Sequence, residues 1–124
     1  MRLGAQRGAQ ALLGSDRLLL RGSVSRSYYA AYCAVTCCLV RRGIVFANGS
    51  SNPPHAELPG YVGNIGGLTE DQRRSIRRAL RRLWKARVDA DYIPAAVIDS
   101  AIARDALRDA LRVMRLLGVE DDGT

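Results

Sequence analysis

The stretch Arg87-Val88-Asp89-Ala90-Asp91-Tyr92 sets a guanidinium, two carboxylates and a phenol within one short segment. Such groups can orient a phosphate, move a proton, or simply pair with one another. Ile76, Leu80 and Leu83 recur on one helical face, and the next position of that stripe is Arg87, because a helix repeats about every 3.6 residues. Arg87 therefore points where the core points. A guanidinium there is unfavourable unless it meets an anion or a polar cleft, and Asp89, Asp91 and the Tyr92 hydroxyl lie just downstream as partners. The segment reads either as a structural ion pair or as part of an active site, and both readings stay open.

His55 is the single histidine, and an ordinary imidazole titrates close enough to neutrality to transfer protons. It either approaches Arg87 through a long loop or is a plain loop residue. Cys33, Cys37 and Cys38 fall within one predicted helix. An odd number clustered this way is no disulfide framework and fits reduced thiols. With no histidine near them in sequence, no metal site is expected, and no cofactor is implied.

The chain carries a net charge of +7, unevenly placed. Residues 69–88 hold eight cations against two anions, so +6 of the +7 lies there. Arg73, Arg74, Arg77, Arg78, Arg81, Arg82 and Lys85 cover the helix faces that Arg87 does not. Arg73, Arg77, Arg78, Arg81, Arg82 and Lys85, with Asp91, are the candidate binding residues, since such a block suits phosphate-bearing or acidic partners. The plainer alternative is a solvated face in an arginine-preferring proteome, given 18 Arg against one Lys.

At 124 residues the chain is expected to form one domain, 1–124. No apolar run nears the roughly 20 residues that span a bilayer, and Met1-Arg2-Leu3-Gly4 opens no secretory signal. A cytoplasmic protein without membrane contact is the expectation.

Helical patterns must position these groups. A first helix is expected over about Leu3 to Leu20, with Leu12, Leu13, Leu19 and Leu20 supplying its apolar surface, and Gly22 breaking it. Ser23 or Ser25 then caps a second helix, Val24 to Arg42, ended by Gly43. Few charges interrupt it, so it should be the central helix, with Tyr28, Tyr29 and Tyr32 as core or interface residues. From Val45 to Leu68 periodicity vanishes among prolines and glycines, predicting a long loop that carries His55. Thr69, followed by Glu70, Asp71 and Gln72, starts a third helix to about Arg87, with Trp84 at the border of its apolar face. Pro94 opens a fourth, to Leu117. There Arg104, Arg108, Arg112 and Arg115 face water with Asp105 and Asp109 interleaved. Ile98, Ala101, Ile102, Ala106, Ala110, Val113, Met114 and Leu117 face the core. Gly118 closes this helix, and an acidic tail occupies about 119–124. The fold class is all-α, an antiparallel four-helix bundle with one long loop.

Val24-Ser25-Arg26-Ser27-Tyr28-Tyr29-Ala30-Ala31-Tyr32, with Leu39 and the Arg42-Gly43 end, resembles the second helix of HEPN domains. The basic helix ending in Arg87-Val88-Asp89-Ala90-Asp91-Tyr92 resembles the second half of that family, so the likeness runs from about Leu12 to Gly118. The resemblance implies a small helical bundle that dimerises, often encoded with a minimal nucleotidyltransferase as a toxin–antitoxin or defence module. Active members are metal-independent ribonucleases in which an Arg is followed a few residues later by His. The Arg grips the scissile phosphate and the His moves a proton at the 2′-hydroxyl or the leaving oxygen. Arg87 matches that Arg, whereas Tyr92 stands where catalytic members place His. A phenol titrates at about 10 in peptides and is a poor base at neutral pH. In some relatives a tyrosine near this motif is modified by the partner enzyme, and Tyr92 matches it loosely.

Three functions follow as expectations. The first is a partner-bound subunit that docks a nucleotidyltransferase, RNA or both, with Arg87 and Asp91 as an ion pair. The second is a ribonuclease toxin using Arg87 with His55 or Tyr92 for proton transfer. The third is a helical homodimer with no nucleic-acid role.

Overall fold

The computed structural model describes residues 2–46 and 53–119, with side chains from residue 17 onward. Among the described residues there are four α-helices: α1 Arg2–Arg41, α2 Leu58–Tyr61, α3 Glu70–Tyr92 and α4 Ser100–Leu116. Single 3-10 turns, His55–Glu57 and Val62–Asn64, flank α2. No strand occurs among the described residues. The all-α class is as expected, but the segments that supply the helices differ.

The two N-terminal helices expected from the sequence are one. Gly22 does not interrupt α1, and Ser25 turns its hydroxyl to Asp91 instead of capping a helix start. An interior glycine costs about 1 kcal/mol relative to alanine. Burial of Val24, Tyr28, Ala31, Val35 and Leu39 along one stripe outweighs that. Leu19, expected to pack, is exposed, Leu20 is half-buried, and the side chains of Leu12 and Leu13 lie outside the described residues. The helix ends at Gly43, whose φ of 78° suits glycine.

α3 begins as predicted. Thr69 accepts from the Gln72 backbone N–H, and Gln72 returns a bond to the Thr69 backbone N–H. The helix runs one turn past Arg87, so Asp91 and Tyr92 are helical. α4 begins later than Pro94: Asp99 caps it by accepting from Ile102 N–H. The intervening Ile93–Ala96 turn is gathered by Arg21. Its Nη1 donates to the carbonyls of Asp89, Ala90 and Ile93, and its Nη2 to those of Pro94 and Ala96.

Residues 53–68 are more regular than the expected loop. Leu58, Val62 and Ile65 are buried, while Tyr32 Oη donates to Pro53 O at 2.8 Å and Arg42 Nη2 to Gly66 O at 3.1 Å. Residues 47–52 and the acidic tail beyond Val119 lie outside the described residues. α1 packs on both α3 and α4, which also pack on each other. Arg21 meets the end of α3 and Arg42 the segment before it, so these two helices run antiparallel. One contiguous core runs from Val24 through Ile76, Leu80 and Leu83 to Val113. Two α4 residues depart from expectation: Ala101 is exposed, and Asp109 is buried rather than facing water.

Candidate functional site

Arg87 sits where its periodicity predicts, with a side chain 9% exposed. Its Nε lies 2.9 Å from Asp91 Oδ2, an ion pair one turn apart in which the N–H is not aligned as a hydrogen bond. Its Nη2 donates to Tyr29 Oη at 2.7 Å. Four rings surround the guanidinium: Tyr29 and Tyr92 at 5.1 Å, Trp84 at 5.4 Å and Tyr28 at 5.9 Å. Asp91 also accepts from Ser25 Oγ at 2.5 Å. Charge, hydrogen bonding and ring faces together meet the desolvation cost of burying this cation.

His55 reaches the same cluster. The bond from Tyr32 to Pro53 and the buried Leu58 fix the turn that carries it. Its Nδ1 is 2.5 Å from Tyr28 Oη, and its ring stacks on Trp84 at 4.8 Å and 12°. Burial, then the charge of Arg87, lowers the His55 pKa below the ordinary value. Burial raises that of Tyr28 far above the ordinary phenol range. Tyr28 is therefore protonated and can donate; with Nδ1 accepting, the neutral imidazole carries its hydrogen on Nε2. In that arrangement the lone pair a general base needs is already engaged.

Of the other predicted residues, Tyr92 is exposed and covers Arg87 without hiding its own edge. Much of the basic face is internally paired. Glu70 meets Arg73 at 3.9 Å and Arg77 at 3.1 Å, and Lys85 meets Asp89 at 3.2 Å. Arg73 Nη2 also donates to Ile65 O at 3.1 Å. Arg82 is held by Asp109 through two bonds, 3.0 and 2.7 Å. Arg78 and Arg81 are exposed and make no ion pair among the described residues. Arg81 lines a cleft of about 580 Å³ with Trp84, His55, Glu57, Tyr61 and Asn64.

Sequence reasoning missed Tyr28, Tyr29 and Ser25 as partners of the site, and Arg21 as the clamp behind it. Their sequence context alone marks Tyr28 and Tyr29 as packing residues. The signal for them lies in their being phenols rather than phenylalanines, since a phenol in an apolar helix brings a hydroxyl that needs a partner.

Residues 6–120 match the HEPN domain family. The chain belongs to that family. Neither the curated proteins nor the solved structures give a match. In this HEPN chain His55, the one histidine, reaches the rings around Arg87 from the 53–68 segment rather than from α3 itself. No helix among the described residues is long and apolar enough to cross a membrane.

Proposed function

We propose that this HEPN protein is an RNA-binding component of a toxin–antitoxin or defence module, working as a homodimer with a nucleotidyltransferase partner. The observation that carries the RNA-binding reading is the cleft walled by the stacked His55–Trp84 pair, with the unpaired Arg81 beside it. Aromatic walls take unstacked bases, and a free guanidinium takes the attached phosphate. In this reading Arg87, paired with Asp91 and packed against Trp84, holds that wall in place. The test is binding of a labelled single-stranded oligonucleotide at low salt by wild type, Trp84→Ala and Arg81→Ala. Loss of affinity in both variants, with helicity retained, is expected. Equal binding by all three refutes this site. Co-expression with a nucleotidyltransferase encoded beside the gene tests the partner, since separate elution on gel filtration removes that part of the reading.

A metal-independent ribonuclease is the second reading, favoured by one observation: His55 meets Tyr28 and stacks on Trp84, two of the rings that face the Arg87 guanidinium. Its proton transfer requires the Tyr28 bond to open so that Nδ1 becomes free. If His55 is the base, cleavage in EDTA rises with pH through a pKa below about 6.5 and is abolished by His55→Gln. Cleavage that persists in that variant eliminates His55 as the base.

A further inference from the structure

The outer surface of α3 separates two clefts. One is the His55–Trp84 cleft, with Arg81 on its wall. The other, about 420 Å³, is lined by Asp71, Arg74, Ser75, Arg78 and Arg82 of α3 and Arg112 of α4. Arg74, Arg78 and Arg82 succeed one another four residues apart and so form one stripe. Among the described residues the single carboxylate lining this second cleft is Asp71, whose exposed side chain pairs with Arg74 at 3.5 Å. Arg82 is aimed differently. The buried Asp109 fixes its fork through two hydrogen bonds, while the Arg82 side chain stays over half exposed beside the cleft. Arg78 and Arg112 have no carboxylate partner among the described residues. Four arginines against Asp71 and the neighbouring Asp109 leave the cleft with an excess of positive charge, which suits an anion.

We propose that this second cleft is a phosphodiester cradle, and that one strand of RNA runs from it across Arg78 and Arg81 into the His55–Trp84 cleft. The inference rests on the RNA-binding reading above and adds the backbone cradle and the path of the strand. Arg78 and Arg81 are three residues apart on α3, where Cβ atoms lie about 5–6 Å from each other. That spacing suits successive phosphates of one strand. A base can enter the aromatic cleft only if it is unstacked, which a duplex does not offer. Arg74, Arg78 and Arg112 grip the backbone without reading sequence, and the cleft receives a base. The path spans on the order of four nucleotides, the short end of known single-strand sites.

Fluorescein-labelled oligouridylates of one to eight nucleotides provide the test, titrated by anisotropy at several salt concentrations. Wild type is compared with Arg78→Ala and with an Arg74→Ala, Arg112→Ala double variant. All three arginines are exposed, and circular dichroism verifies that helicity is kept. Arg82 is left intact because Asp109 depends on it. Affinity is expected to climb with length up to about four nucleotides and then level off. Each arginine removed should flatten the slope of log affinity against log salt by about 0.7. If the cradle variants keep the wild-type slope while Trp84→Ala loses binding, the path is wrong and the cleft reading survives. If wild type binds no strand, both fail. A duplex bound as tightly as the single strand overturns the proposal, as does inorganic pyrophosphate competing as well as the tetranucleotide, which would mark a free-phosphate site.

Discussion

At the scale of single residues, burial has turned the reactive groups of this candidate site toward one another. Arg87 answers to Asp91, Tyr29 and four rings, and removing it strands a partly buried carboxylate. Arg87→Ala is expected to cost roughly 3 kcal/mol in urea unfolding, in the range for breaking a buried pair. Arg87→Lys should recover only part, because an ammonium cannot serve Asp91 and Tyr29 with one planar fork. A loss below about 1 kcal/mol would mean the pair behaves as a surface bridge. His55 gives a pH signature. Its folded pKa lies below the unfolded value, so at acidic pH the unfolded chain binds the proton more readily. Stability is then complete above about 6.5 and falls as pH drops through the folded pKa. His55→Gln should flatten the decline of urea midpoint between neutral and acidic pH, and an unchanged decline would place the acid sensitivity elsewhere.

At the scale of elements, two glycines should respond with opposite signs. Gly22 lies inside α1, and a Cβ there meets only the flexible end of Arg26, at 3.3 Å. Gly22→Ala is expected to raise stability by about 0.5–1 kcal/mol. Gly43, at φ 78°, has open space around it but a backbone that alanine resists, so Gly43→Ala should lower stability by about 1 kcal/mol. Thermal midpoints of the pair decide this; a destabilising Gly22→Ala would restore the helix break that the sequence suggested. The capping box at Thr69, the glycine stop at Gly43 and the core placement of Arg87 were legible because each is written in local spacing. The start of α4 was not. Pro94 is a favourable first-turn residue by propensity, yet Arg21 collects the carbonyls that precede Asp99, and no local pattern announces a partner more than 70 positions away. The site was half legible for the same reason: Arg87, Asp91 and Tyr92 share one helix, whereas His55, Tyr28 and Tyr29 arrive from elsewhere in the chain.

At the scale of the whole molecule, Arg21 ties the first helix to the end of the third and to the turn that leads into the fourth. Arg21→Ala should cost about 2 kcal/mol, since several carbonyls lose their donor. Amide exchange should accelerate first over residues 93–99. Uniform acceleration across α1 and α3 would instead show that the clamp supports the entire bundle rather than one corner.

Trp84 is the chain's only tryptophan, and it lies nearly parallel to His55 in the wall of the cleft. Indole emission from this protein therefore reports on one place alone. Fluorescence and far-ultraviolet dichroism become independent witnesses, the first to the cleft and the second to the helices. Coincident unfolding curves would mean that cleft and bundle melt as a single cooperative unit. A fluorescence transition at lower denaturant would mean that the 53–68 segment lets go of Trp84 while the long helices still stand.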